Sequence, residues 1–435
     1  MKVRQICMMV LFGLGVIPAM QAQTFDKLWK EVEQAEKKSL PKTVIKLTDE
    51  IYQKGEKERN SAQMLKAYMW RMKTQDILTP DSFYVGLRDL EQWAKQTEQP
   101  MERAILHSLI AEFYANYAAD NQWQLRQRTE IVGETPSADI REWTANMFVE
   151  KVRTNVKEAL ADSLLLLKTS SRNYIPFVEL GETSEYYHHD MYHLLASRAV
   201  RALNQIERLE RGSFNGITVS PVKQDIINIY ERMADAYETA GLKEGYVLTM
   251  LQYLEWERGN DNKLQPVQLK KGLDEWTADT YNAALDELKR QFKSEPICAE
   301  VYLAQARYAV EKMQQVNALQ LCDEAFRLYP GYRRIKALKN LREEILAPFL
   351  NVSAVSQAFP NEEIKLNVGH KNLDGFTVRL YQAKKLVKEQ HYSVLRPKDY
   401  RAKDTVFTFK APDLGTYVMR IIPDIRAKRD SESKF

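Results

Sequence analysis

Cysteine, glycine, charge imbalance and long apolar runs are all scarce in this chain, and each shortage excludes something. Three cysteines in 435 residues cannot build a disulfide framework. Cys7 falls in an N-terminal apolar run, which leaves Cys298 and Cys322 and at most one bridge. Both are expected to act as buried thiols, small apolar side chains in a helical stretch. Sixteen glycines are few for a large all-β or dinucleotide-binding architecture. The 63 basic and 59 acidic residues nearly cancel, which argues against nucleic acid as the main partner. Beyond the N-terminus no stretch approaches the ~18 apolar residues of a membrane-spanning helix. Neither Gly-x-Ser-x-Gly nor a phosphate loop ending in Gly-Lys occurs. The expectation is therefore a chain that is not an enzyme, with no catalytic residue, no cofactor and no membrane segment after the leader.

The N-terminus carries an export pattern. Lys2 and Arg4 precede an apolar run, Ile6 to Val16, and Pro18-Ala19-Met20-Gln21-Ala22 supplies a small-residue exit. Residues 1–22 read as a signal peptide cleaved after Ala22. Cys7 lies too early for a lipid-modified cysteine. The expected setting is outside the cytoplasm.

From Phe25 to about Leu346 apolar residues recur at three- and four-residue spacings, the pattern of amphipathic helices. Phe25, Leu28, Trp29, Val32 and Ala35 share one face. Pro41 suits the first turn of a second helix, and Val44, Leu47, Ile51 and Tyr52 give that helix its stripe. A third is expected over 62–73. Further helices are expected over 82–97, 101–118, 138–160, 184–209, 223–240, 243–258, 277–292, 299–312 and 316–329, with turn chemistry at 211–216 and 259–262. Residues 299–330 fit a tetratricopeptide unit of about 34 residues. Tyr302 takes its large aromatic position, Ala306, Ala318 and Ala325 its small positions, and Pro330 its end. Gln305, Ala309 and Cys322 depart from that pattern. Residues 229–257, with Ala234, Tyr237 and the Gly241 turn, show a looser version. The fold class is thus mainly α: a tetratricopeptide-like array of antiparallel helix pairs over 23–347. Stacked pairs leave a concave surface for protein partners.

At Ala347-Pro348 the period falls to two. Residues 351–355, Ile364–Val368, Phe376–Tyr381, Thr405–Phe409 and 415–422 alternate as strands, with a turn at Asn372–Gly375. A small β-sandwich is expected over 348–424, about the smallest size that holds an independent core. Residues 425–435 read as a charged tail or a truncated linker.

Ionisable residues cluster at Glu185, His188, His189, Asp190 and His193. On a helix starting at 184, Glu185, His189 and His193 fall four apart on one face, half of a zinc site. The order His-Glu-x-x-His is missing, and His107, His370 and His391 are the other histidines. The preferred reading is structural, with no metal and with Asp190 bonded locally; Glu185, His189 and His193 are the candidate ligands. Ser163 and Thr405, in short Asp-led triplets, read as helix or strand entries; such triplets also mark sugar attachment in some exported bacterial proteins. Most of Trp29, Trp70, Trp93, Trp123, Trp143, Trp256 and Trp276 are expected in helix contacts, the rest in a groove that grips a peptide. Arg333, Arg334 and Lys336 read as solvated surface.

The order of leader, long helical region and β-sandwich resembles the N-terminal portion of bacterial alpha-2-macroglobulin-like proteins. Three segments carry the likeness. Phe25-Asp26-Lys27-Leu28-Trp29-Lys30 through Leu40-Pro41-Lys42-Thr43 is similar to the family's opening helices. Tyr186 to Ala199 resembles its aromatic–Asp–Leu-Ala-x-Arg-Ala helix. Pro360-Asn361-Glu362-Glu363-Ile364, Lys371-Asn372-Leu373 and Val378-Arg379-Leu380-Tyr381 look like a macroglobulin domain.

The resemblance implies a role in trapping or restraining proteases in the periplasm or cell envelope of a Gram-negative bacterium. It also implies a front end only: a truncated product, a gene fragment or one part of a split system. The family's reactive thioester needs a cysteine followed two and three residues later by Glu-Gln. Cys298 leads into Ala299-Glu300-Val301 and Cys322 into Asp323-Glu324-Ala325, so covalent trapping is not expected. Expected partners are proteases or other envelope proteins. The second reading is a tetratricopeptide-type interaction scaffold; a metal-dependent hydrolase is a distant third.

Overall fold

The computed structural model describes residues 17–79, 82–129, 137–179, 181, 188–210, 220–259 and 280–424. Glu185, Trp276, the tail and most of the leader lie outside them. Contacts divide the chain into two units, Met1–Asp274 and Glu275–Phe435. Helix dominates the described residues, and antiparallel strands occupy the C-terminal end.

The first unit opens with α1 (Ile17–Lys37), α2 (Pro41–Lys57) and α3 (Ser61–Leu78). Ser39 and Arg59 take left-handed backbone between them, with φ of 55° and 53°. Phe25, Trp29, Val32, Val44 and Ile51 form one apolar cluster with Ala67 of α3. Trp29 Nε1 donates to Gln63 Oε1 at 2.7 Å, so the indole is buried without losing its hydrogen bond. Next come α4 (Ser82–Gln96), α5 (Pro100–Asp120), the short α6 (Gln122–Gln127) and α7 (Ala145–Ala159). Glu102, in the first turn of α5, is buried yet bonded: Thr97 Oγ1 donates at 2.6 Å, Trp93 Nε1 at 2.9 Å, and Ser61 Oγ more closely. An acidic group there also suits the positive end of the helix dipole.

The helix expected from 138 begins at Ala145. Asp139 instead caps a short 3-10 turn, Ile140–Glu142, by accepting from Arg141 N. Trp143 then donates to Ser137 O and stacks on Tyr114 with rings 2° from parallel. Its anchored indole holds the chain extended before α7. After α8 (Ser163–Lys168), α9 (Met191–Glu207) packs on α5, α7 and α10 (Pro221–Thr239), and α11 (Lys243–Gly259) packs on α10. Ser220 caps α10 by accepting from Lys223 N, with Pro221 in the first turn. Gly241, at φ 68°, makes the turn into α11.

The second unit starts with α12 (Thr280–Gln291), α13 (Cys298–Glu311), α14 (Gln315–Leu328) and α15 (Ile335–Leu346). Between α13 and α14, Met313 is left-handed at φ 59° and Gln314 N donates to Ala309 O at 2.7 Å. Ala306, Ala318, Cys322 and Ala325 are fully buried. Cys298 and Cys322 are free thiols and both buried; burial pushes the Cys322 thiol up to about 11. Arg334 corrects the solvated-surface reading: it pairs with Glu300 at 2.8 Å, and Glu300 is only 3% exposed.

Six strands follow: β1 (Phe349–Ser353), β2 (Glu363–Lys371), β3 (Gly375–Gln382), β4 (Lys385–Ser393), β5 (Lys403–Lys410) and β6 (Val418–Pro423). They form two three-stranded antiparallel sheets, β1-β2-β5 and β4-β3-β6. The register pairs Leu366 with Phe407 and Val378 with Ile421. Alternation puts Ile364, Leu366 and Val368 inside and leaves Lys365 and Asn367 outside. One apolar cluster draws on both sheets, with Leu366, Val368 and Phe409 from the first and Phe376, Val378, Leu380 and Tyr392 from the second. Tyr392 Oη also donates to Thr408 O at 2.8 Å, tying β4 to β5. The join to α15 is sealed by Asn372, whose Nδ2 donates to Ile345 O and Ala347 O. Left-handed backbone at Asn372, φ 56°, aims the amide at carbonyls that a helix end leaves unpaired.

Candidate functional site

The ionisable cluster at 188–193 organises the centre of the first unit. Asp190 is the N-cap of α9: its extended backbone and side chain let Oδ1 accept from His193 N at 2.7 Å. A carboxylate there satisfies a free amide and the helix dipole together. Asp190 is 4% exposed, so its other lone pairs also need donors. Tyr237 Oη of α10 lies 3.0 Å from Oδ1 and 2.9 Å from Oδ2, and His188 Nδ1 lies 2.6 Å from Oδ2. Burial and the adjacent carboxylate push the Tyr237 hydroxyl pKa far up, so it stays a donor.

The helix expected from 184 therefore starts at Met191, because Asp190 caps it. His189 lies ahead of the cap, and the expected shared face of His189 and His193 does not form. The backbone of His189 holds the neighbouring segment: its carbonyl accepts from Ser171 N at 3.0 Å. Met191 N donates to Thr169 O at 2.8 Å, and Ser170 bridges Asp190. His193 is fully buried, and burial pushes its pKa down to about 4. Its ring is neutral at neutral pH, and Gln252 Nε2 of α11 lies 3.0 Å from its Nε2. With the amide in this orientation Nε2 accepts, so the proton sits on Nδ1. Glu185 lies outside the described residues, among which no three potential ligands gather to hold a metal ion.

Chemically this cluster is a fastening. The Asp190 carboxylate joins α9 to α10 through His193 N and Tyr237 Oη, the backbone of residues 189–191 holds the 169–171 turn, and His193 joins α9 to α11. Packing is equally tight: a Cβ added at Gly245 would sit 2.4 Å from Tyr237 Cδ1, so glycine lets α11 approach the ring.

Downstream on α9 lies a surface the sequence reading did not find. Ser197, Val200, Arg201, Asn204, Gln205 and Arg208 line a groove of ≈ 500 Å³, with Ala119 and Gln122 opposite. Two neighbours shape it: Trp256 Nε1 donates to Asn204 Oδ1 at 2.9 Å, and Gln205 Nε2 donates to Asn116 Oδ1 at 2.9 Å. Arg198, in the segment resembling the family helix, pairs with Glu112 of α5. The signal in sequence was present, since polar residues at 197, 201, 204 and 208 repeat every three or four positions. The helix opposite, which turns that polar face into a groove, leaves no mark in the local pattern. Trp29 and Trp143 are buried as expected, whereas Trp123 is 75% exposed.

Compared with models of protein families the sequence matches none, and compared with curated proteins it has no match. No helix among the described residues is long and apolar enough to cross a membrane.

Proposed function

We propose that this chain is the N-terminal portion of an exported alpha-2-macroglobulin-like protein, with a non-catalytic role in restraining proteases at the cell envelope. The observation that carries the reading is the order of parts: helices throughout, then two antiparallel sheets sharing one apolar cluster. In this reading the two sheets are a macroglobulin-type sandwich, their inner faces forming a common core. The Tyr186–Ala199 likeness falls on the segment that Asp190 fastens, a position suited to a scaffold element. Lys2, Arg4 and the apolar run after them support export. Without a thioester sequence at Cys298 or Cys322, restraint would be non-covalent. Affinity capture from a Gram-negative envelope extract tests this. Recovery of an identified protease or a macroglobulin fragment supports it; recovery of assembly factors alone refutes it.

A second reading rests on a different observation. α13 and α14 are joined by three residues and bury Ala306, Ala318 and Ala325 between close-packed helices. Tetratricopeptide-like pairs of this kind would make the chain an interaction scaffold for envelope assemblies.

A further inference from the structure

We propose that the groove between α9 and the α5–α6 corner is a docking site for an extended acidic peptide segment of a partner protein. This goes beyond protease restraint and does not depend on it. Arg201 and Arg208 are both exposed, and neither forms an ion pair among the described residues. The carboxylates nearby are mostly committed: Glu207 pairs with Lys223 at 3.1 Å and Glu112 pairs with Arg198. Asp120, beside Ala119, and Glu210, which accepts from Val222 N, have no ion pair among the described residues, but neither lines the groove, whereas both arginines do. Their forks suit carboxylates, which they bind through paired hydrogen bonds.

Two further groups specify peptide rather than a simple anion. Ser197 Oγ and Gln205 Oε1 are buried atoms without a hydrogen-bond partner, and both residues line the groove. Gln205 Oε1 can only accept; it is sealed from solvent, so a bound backbone N–H reaches it when the side chain turns toward the groove. A small inorganic anion leaves the apolar floor of Ala119 and Val200 uncovered, whereas an extended peptide can cover it. Among the described residues no aromatic side chain lines the groove, so these supply no stacking platform of the kind single-stranded nucleic acid requires.

The test is fluorescence anisotropy on the full chain with labelled hexaglutamate, hexalysine and a glycine-serine hexapeptide. Saturable hexaglutamate binding that weakens with salt is expected. Arg201→Ala with Arg208→Ala should weaken it about tenfold or more, and Gln205→Ala should weaken it less. Arg88→Ala, an exposed arginine on α4, should leave it unchanged. Photo-crosslinking of the probe to the wild-type chain maps the site without any substitution and should label residues of α9 or the α5–α6 corner. Four outcomes would overturn the proposal: no binding, equal binding of hexalysine or the neutral peptide, indifference to the arginine variants, or complete competition by inorganic phosphate at equal charge.

Discussion

Replacing Asp190 by alanine should destabilise the first unit by about 3 kcal/mol, and the figure divides by donor. Loss of the cap on His193 N contributes about 1 kcal/mol. The Tyr237 hydroxyl, fully buried, then has no acceptor, which costs about 1–3 kcal/mol. His188 is 24% exposed at its side chain, so its pair adds less than about 1 kcal/mol. Asp190→Asn keeps an acceptor for His193 N and should cost about half as much, roughly 1–2 kcal/mol. Tyr237→Phe removes the hydroxyl that needs a partner. Asp190→Ala with Tyr237→Phe should therefore cost less than the sum of the two singles, by about 1–2 kcal/mol. Urea unfolding followed by circular dichroism gives the four free energies. Hydrogen exchange at the His193 and Met191 amides localises the effect, since the two units need not unfold together. An Asp190→Ala cost under about 0.5 kcal/mol, the size of an ordinary surface change, or an additive cycle would refute the fastening.

Four other outcomes follow from the same physics. Burial pushes Glu257 up to about 7 from 4.5, so the folded state holds a proton the unfolded state releases. Stability is lost as pH rises from 4.5 to about 7, by roughly 3 kcal/mol at most. Glu257→Gln should match wild type near pH 4 and exceed it at pH 8; equal stability at both would contradict this. His193 acts in the opposite direction: with its pKa near 4, stability should fall as pH drops from 6.5 towards 4, and His193→Gln should flatten that limb of a thermal-melt series. Gly245→Ala forces a Cβ against the Tyr237 ring, and overpacking of about 1–3 kcal/mol should exceed the ~1 kcal/mol gained in helix propensity; a raised melting temperature would count against it. Arg334→Ala leaves the Glu300 carboxylate buried without its cation and should cost about 3–5 kcal/mol in chemical denaturation, whereas a solvated arginine would cost almost nothing.

Much of the fold was legible because amphipathic period is a local property. Phe25, Trp29 and Val32 face the core as their spacing predicts, and Ile364, Leu366 and Val368 alternate as a strand should. Three things were hidden. β4 reads as a charged stretch because it is an edge strand: Lys385, Glu389 and Gln390 sit on it and only Tyr392 is buried. Such charges keep exposed edges from pairing with other chains. The start of α9 was misplaced because nothing in the local pattern separates a capping Asp190 from one inside a helix begun at 184; its burial against Tyr237, 47 positions away, is invisible there. Arg334 looked solvated because its partner Glu300 lies on another helix. In each case the deciding contact comes from elsewhere in the chain, where no local pattern records it.

The most direct test mixes the purified chain with individual serine, cysteine and metallo-proteases and follows each mixture by gel filtration with light scattering. A role in non-covalent restraint predicts a defined complex with at least one protease that survives filtration and separates completely on a denaturing gel. Free elution of every protease, or a complex that persists under denaturation, would contradict it.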